Sequence, residues 1–421
     1  MSEIPRILVV LPMYGGSLPV GRFCVSALRD LGCTVDVFEA PDFFSAFQGL
    51  KVLRVGADRL DYLENGFLQL LSQAVLAKVE AFEPDLVFCL AQAPLNRQAL
   101  KRLERDKVLT TMWFVEDFQI FTYWRAFAPF YSAFAVIQKE PFLSELDKAG
   151  VQHSLYLPLA ALPDFHRPLE LNPAERREFG SDVAFLGAGY PNRRTAFRQL
   201  AHLDLKIWGT EWEGDSVLSR FVQRAGGRIS PEDAVKIYSA TRINLNLHSS
   251  VQTKNLVSHG DFVNPRTFEL AACGAFQLVD ERSHMPELFA RGELMTFTSM
   301  PELLEKIDYY LNRPEERHAV AEKSRARVLA DHTYQQRMSA LIAFLKERFP
   351  AWPAQHEAAR LPENLPQALA AELVELLARL NLPANAGFRE VIAAVRSRQG
   401  ELTGLETALL FLDEWQKQYK H

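Results

Sequence analysis

Short apolar runs alternate along the chain with longer segments in which apolar residues recur every three or four positions. A run that is apolar on both faces reads as a buried parallel strand, and a one-sided stripe reads as a helix packed on it. Arg6 to Leu11 is such a run; it ends in Pro12-Met13-Tyr14-Gly15-Gly16, and helical spacing follows from Val20 to Leu31. Strands are expected next at Thr34 to Phe38, Leu86 to Leu90, Val108 to Phe114, Ala133 to Gln138 and Ser154 to Leu157, with helices near Asp58 to Phe82, Arg97 to Arg105 and Pro141 to Ala149. Pro158, Pro163, Pro168 and Pro173 then interrupt all periodicity, which places a linker there. The pattern restarts with strands Asp182 to Leu186, Leu205 to Trp208, Ile243 to Leu247, Phe276 to Val279 and Leu294 to Phe297, and helices at Arg193 to Ala201, Pro231 to Ala240, Pro301 to Asn312, Pro314 to Leu329 and Tyr334 to Arg348. The expected architecture is α/β: two Rossmann-like, doubly wound parallel sheets facing across a cleft. The expected boundaries are 1–160 for the first domain, 161–180 for the linker, 181–350 for the second domain and 351–421 for a helical tail with helices at Pro366 to Leu380, Phe388 to Arg398 and Leu402 to Tyr419.

At 421 residues the chain is too long for one ordinary core. Its 48% hydrophobic and 24% charged residues are those of a globular protein. No apolar run is long enough to span a bilayer, and the first residues lead into a strand rather than a signal peptide, so a cytoplasmic location is the expectation. A net charge of -5 without a long basic block gives no footprint for nucleic acid. Cys24, Cys33, Cys89 and Cys273 lack CxxC spacing and lie in apolar surroundings, which reads as buried thiols rather than disulfides or a zinc site.

Chemistry concentrates in the loops after the strands. Asn264-Pro265-Arg266-Thr267 opens a helix with a capping residue and a proline at its first position, and Gly274 ends it. Free N–H groups at that helix start favour a diphosphate; Arg266 adds a charge with fork geometry, and Glu269 one turn deeper suits a ribose. Gly187-Ala188-Gly189 precedes Arg193 and Arg194, whose charge opposes the helix dipole unless an anion compensates. Gly15, Gly16 and Gly209 give the backbone room to approach a ligand at strand ends. Asp261, eight residues before Glu269, faces either the sugar or solvent. Glu116 and Asp117 follow a strand of the first domain and are candidates for a general base; Asp117 equally suits a cap. His248 ends another strand and reads either as a catalyst or as a structural hydrogen-bonder. The aromatic-rich stretch from Phe114 to Tyr131 shapes an acceptor groove or forms a hydrophobic patch in the core or between domains.

The run Gly226-Gly-Arg228-Ile229-Ser-Pro231 through Tyr238 to Ile243-Asn-Leu-Asn-Leu-His248, followed by Asn264 to Gly274 and by His332-Thr-Tyr334-Gln-Gln-Arg337, resembles the C-terminal domain of GT-B glycosyltransferases, most closely the CgeB-like group. The resemblance covers about Asp182 to Leu345. It implies an activated sugar donor as substrate, no essential metal or other cofactor, and a cleft that closes over the donor. It matches Glu269 to the ribose carboxylate of related enzymes, and it puts Asp261 where they carry a glutamate. The base would be read by backbone around Arg228 and Ile229, and the pyrophosphate held by Arg193 or Arg194 with the Asn264 helix start. Three functions fit: transfer of a sugar to a hydroxyl on a protein, surface glycan or small molecule; a catalytically silent nucleotide-sugar-binding or assembly protein whose helical tail takes a partner; and a sugar-nucleotide epimerase.

Overall fold

The chain order of strands reverses once within each of two all-parallel sheets. In this computed structural model, which describes residues 4–251, 256–257, 260–353, 366–383, 386–398 and 400–418, the first sheet has the order β2-β1-β3-β4-β5-β6. Its strands are β1 (Arg6–Val10), β2 (Thr34–Phe38), β3 (Leu86–Leu90), β4 (Leu109–Phe114), β5 (Ala133–Val136) and β6 (Ser154–Tyr156). The second sheet comprises β7 (Val183–Leu186), β8 (Leu205–Trp208), β9 (Ile243–Asn246), β10 (Gln277–Asp280) and β11 (Met295–Phe297), in the order β11-β10-β9-β7-β8. The expected α/β architecture is thus the one observed, with strand ends within two residues of their expected positions. Central strands such as β3 and β7 are buried throughout because helices cover both faces, which is why they read as unbroken apolar runs.

Reversal points matter for position. β1 and β7 each sit at the reversal of their sheet, and the two glycine loops Gly15-Gly16 and Gly187-Ala188-Gly189 follow these strands. Ligands of open parallel sheets bind outside the carboxyl ends of strands at that point.

Two segments are packed differently from their expected domains. The stretch read as an aperiodic linker carries the helix Pro173–Phe179, which Asn172 opens by accepting from the N–H groups of Ala174 and Glu175 while Glu175 returns a bond to its backbone. Phe179 packs with Trp208 and Tyr238 of the second domain. The helix Tyr334–Arg348, expected within the second domain, crosses back and packs on the helix Ser17–Asp30, so that Tyr334, Met338, Leu341 and Leu345 belong to the first domain's core. Ala161 locks this return: its N–H donates to His332 O at 3.0 Å, and its carbonyl accepts from Tyr334 N at 2.9 Å. Arg337 adds a bond to Pro158 O at 2.7 Å. Helical periodicity shows that a face is apolar and leaves open which core it meets.

The tail forms helices Gln367–Arg379, Phe388–Ser397 and Gly404–Gln418 around its own cluster of Leu376, Val391, Ile392, Val395 and Leu409. All four cysteines are free and buried. Among the described residues no helix is long and apolar enough to cross a membrane.

Candidate active site

A cavity of about 430 Å³ lies between the carboxyl edges of the two sheets. The first domain contributes Gly16 and the helix that follows it; the second contributes Gly187, Ala188, Gly209, the Arg228-Ile229-Ser230 turn, and Arg266 with Glu269 on the helix Pro265–Ala272. Two glycines allow these loops to approach each other. A side chain on Gly189 would place its Cβ 2.1 Å from Glu211 O, and one on Gly209, at φ +115°, would meet Gly187 O at 2.6 Å. Arg228 reaches across the cleft to donate to Gly15 O at 2.6 Å.

A buried guanidinium, Arg193, and a half-buried one, Arg266, define the charge of this cavity. Arg193 donates to Leu247 O at 2.9 Å and Ala188 O at 3.0 Å and lies over the Phe185 ring. Burial, and then the neighbouring charge of Arg266, lower its pKa to about 9. Arg266 donates to Tyr238 Oη at 3.0 Å and to Leu186 O. Burial works against its charge too, but Tyr238 and Glu269 beside it outweigh that and raise its pKa. Neither arginine makes an ion pair with a carboxylate among the described residues. The site therefore holds two positive charges whose hydrogen-bond partners are backbone carbonyls and a phenol, a chemistry suited to an anion with several oxygens. Tyr238 donates to Glu269 Oε2 at 3.1 Å, which leaves that carboxylate capacity to accept from ligand hydroxyls.

The start of the helix is built from inside. Asn264 Oδ1 accepts from Thr267 N at 3.1 Å, and its Nδ2 donates to Asn246 at 2.7 Å. The backbone N–H of Asn264 donates to His248 Nε2 at 2.9 Å, and the other ring nitrogen, Nδ1, lies 2.6 Å from Asp280 Oδ1. Both nitrogens of the buried His248 are thus taken, with Nδ1–H donating to Asp280. Burial and the nearby Arg282 lower its pKa to about 4, so the ring is neutral. Of the two readings of His248, this geometry favours the structural hydrogen-bonder over the catalyst, because neither ring nitrogen is left to face a substrate. Thr267 is likewise turned inward, its hydroxyl 3.2 Å from Asn264 Oδ1. Of the two arginines offered for the pyrophosphate, Arg194 is turned elsewhere: its guanidinium is spent on Gly189 O, Glu211 O and Glu213 O, clamping two loops outside the cavity. His166 and Tyr238 were not singled out from the sequence, yet both line the cavity. Tyr238 sits within the run that carries the family resemblance; His166 lies among linker prolines and left no motif to find.

The adjacent carboxylates after β4 face different places. Glu116 accepts from Gln92 Nε2 and from Tyr123 Oη, both at 2.7 Å, and burial raises its pKa although these bonds oppose the rise. Asp117 caps the following turn through Gln119 N at 2.9 Å and is raised by burial, with Asp261 of the second domain adding to the rise. Asp261 accepts from Gln138 Nε2 at 2.9 Å across the interdomain seam. The structure brings Asp117 and Asp261 together there and puts Asp261 outside the walls of the 430 Å³ cavity. Among the described residues no three His, Cys, Asp or Glu side chains are grouped as ligands for a metal ion.

Residues 193–343 match the family described as glycosyl transferase-like. The chain is 26% identical over 269 residues to the spore protein CgeB of Bacillus subtilis, a stretch that covers 58% of this chain and 78% of that protein. Among solved structures, sucrose-phosphate synthase from Thermosynechococcus elongatus superposes with a TM-score of 0.55 at 12% identity, over 83% of this chain and 100% of that one. Anabaena HepE in complex with UDP and glucose superposes with a TM-score of 0.57 at 12% identity, over 82% of this chain and 100% of that one. At such identities the structural likeness speaks for the fold.

Proposed function

We propose that this CgeB-like chain of GT-B glycosyltransferase fold moves a sugar from a nucleoside diphosphate sugar to a hydroxyl acceptor. The observation that carries the reading is the pair Arg193 and Arg266, one buried and one half-buried guanidinium that make no ion pair with a carboxylate among the described residues, at helix starts beside the sheet's reversal point. Breaking the bond between the sugar and the diphosphate builds negative charge on phosphate oxygens. Fixed positive groups in a desolvated cleft stabilise that charge without reorganising, so the arginines support the leaving group in the role that a metal ion fills elsewhere. Glu269, oriented by Tyr238, holds the ribose hydroxyls; the Arg228-Ile229 backbone faces the base; Gly15 and Gly16 let the first domain close on the donor. Asp117 and Asp261 flank the seam where the sugar meets the first domain, and Glu116 takes the acceptor proton.

HepE, of the same fold, was captured with UDP and glucose, which makes UDP-sugars the first donors to try. The test is a thermal-shift series with UDP-, GDP-, dTDP-, ADP- and CMP-sugars in the presence of EDTA. One nucleotide family should raise the melting temperature, and at a hundredfold excess over Kd the stabilisation is about 2.7 kcal/mol. Glu269→Ala should weaken that donor by roughly ten- to a hundredfold, the range for losing a hydrogen-bonded charge. Unchanged donor affinity in that variant would refute the site, and donor binding without slow donor hydrolysis would identify a binding protein in place of a transferase.

A further inference from the structure

The first domain encloses a second, larger cavity of about 900 Å³, within the range of roughly 300–1,000 Å³ typical of small-molecule sites. Its walls are aromatic: Phe114, Tyr123, Trp124, Phe127 and Tyr131 surround it, and Leu68 stands at the rim. Arg97 places its guanidinium 5.7 Å from the Phe127 ring, so that one side also carries a stacked cation. A core patch of rings would have closed on itself. Here the rings leave room for another molecule.

One end of this cavity is polar and lies toward the donor cleft. Gln92 lines the cavity and, with Tyr123, fixes the half-buried Glu116 carboxylate. Its backbone sits at φ +66°, a left-handed conformation that side chains other than glycine rarely adopt and that recurs at functional sites. On the other side, Gln92 Oε1 stands 3.3 Å from where a Cβ on Gly15 would lie, and Gly15 O accepts the bond from Arg228 of the donor cleft. The thickness of Gln92 and Gly15 therefore separates the aromatic cavity from the donor site.

We infer that the aromatic cavity seats the flat ring body of a hydroxylated aromatic acceptor, with its hydroxyl presented to Glu116. The inference rests on the transfer reading above and names its acceptor class. Rings reward a planar guest by stacking, about 0.5–1.5 kcal/mol for each well-placed pair beyond burial itself, a reward that a free sugar lacks. In the step this implies, the acceptor oxygen bonds to the sugar's anomeric carbon as its proton passes to the Glu116 carboxylate. The bond from that carbon to the diphosphate oxygen breaks, and its electron pair leaves with the nucleoside diphosphate between Arg193 and Arg266.

The experiment is a fluorescence titration of the full chain with naphthol, paired with the thermal shift given by the active nucleotide. The wild type should bind naphthol saturably; Leu68→Trp, which fills the rim, should bind it at least tenfold more weakly while the nucleotide shift is unchanged. Glu116→Gln should keep naphthol affinity within about threefold and lose transfer to it by roughly a hundredfold, in the range of general base catalysis. Wild-type transfer should also fall as pH drops through a window above the ordinary glutamate range, a loss that a merely structural Glu116 would not produce. No saturable naphthol binding, or equal binding by Leu68→Trp, with the nucleotide shift intact would overturn the acceptor seat and leave the donor reading standing. Naphthol binding with no response to any nucleotide would overturn the transfer reading and the acceptor role with it.

Discussion

Arg193 and His248 show how burial sets the task of a charged side chain. Arg193 sits where burial disfavours its charge and makes no ion pair with a carboxylate among the described residues, so the proposed function has an anion answer it. Inorganic pyrophosphate alone should therefore raise the melting temperature, and Arg193→Met should abolish the effect; a shift of equal size in the variant would put the phosphates elsewhere. His248 meets the same burial by staying neutral. Its pKa of about 4 in the fold against an ordinary 6.5 means that the unfolded chain binds the proton more tightly between these values. Stability from this group is thus complete above pH 6.5 and is lost as pH falls toward 4, amounting to roughly 3 kcal/mol. Asp280, depressed by His248 and Arg282 against the pull of burial, adds its own loss at still lower pH. Urea unfolding followed from pH 7 to 4 should show this decline in the wild type and a flatter one in His248→Gln, which starts from a lower value because Asn264 N loses its acceptor.

The elements that matter most are loops held at fixed spacing by glycine and by one arginine each. Gly189 lets its backbone pass the strand-end loop at Glu211, and Arg194 then ties the two loops through three carbonyls. Adding one methyl at Gly189 forces these loops apart. Gly189→Ala should cost about 1–3 kcal/mol from overpacking and displace the Gly187 loop from the cavity, so nucleotide affinity should fall with stability. Chemical denaturation with a nucleotide titration checks both; lost stability at full affinity would show the loop to be a scaffold alone. The helix Pro265–Ala272 was legible as sequence, from Asn264 as cap to Gly274 at φ +63°, because capping is chemistry among near neighbours. The inward role of Thr267 was not legible and that of His248 only as one of two readings, because their partners Asn246 and Asp280 arrive from other strands.

For the whole molecule, the crossing of the helix Tyr334–Arg348 onto the first domain makes the two halves interdependent. Tyr334, Met338, Leu341 and Leu345 are buried there, at about 1.5–3 kcal/mol each, a sum comparable with the entire stability of a domain at ~5–15 kcal/mol. A chain ending at residue 333 should fail to fold its first domain. A chain ending at residue 353 should keep both sheets and its nucleotide response, because the tail's helices pack around a cluster of their own. Circular dichroism and thermal shift of the two truncations separate these outcomes; loss of nucleotide binding in the longer one would give the tail a part in the donor site.

The sequence by itself determined the elements and the chemistry that near neighbours make: alternating strands and helices, glycine loops after β1 and β7, the capped helix with Arg266 and Glu269 one turn apart. These follow from periods of two and 3.6 residues and from hydrogen bonds within a turn. Tertiary structure alone decided that Arg193 rather than Arg194 lines the cleft, that Glu116 turns to Gln92 and Tyr123 while Asp117 faces the seam with Asp261, that aromatic residues between Phe114 and Tyr131 leave a space, and that the last helix of the second unit belongs to the first core. Each depends on contacts between residues far apart in the chain. Those distances are set by how two sheets and their covering helices pack, and local pattern carries no record of them.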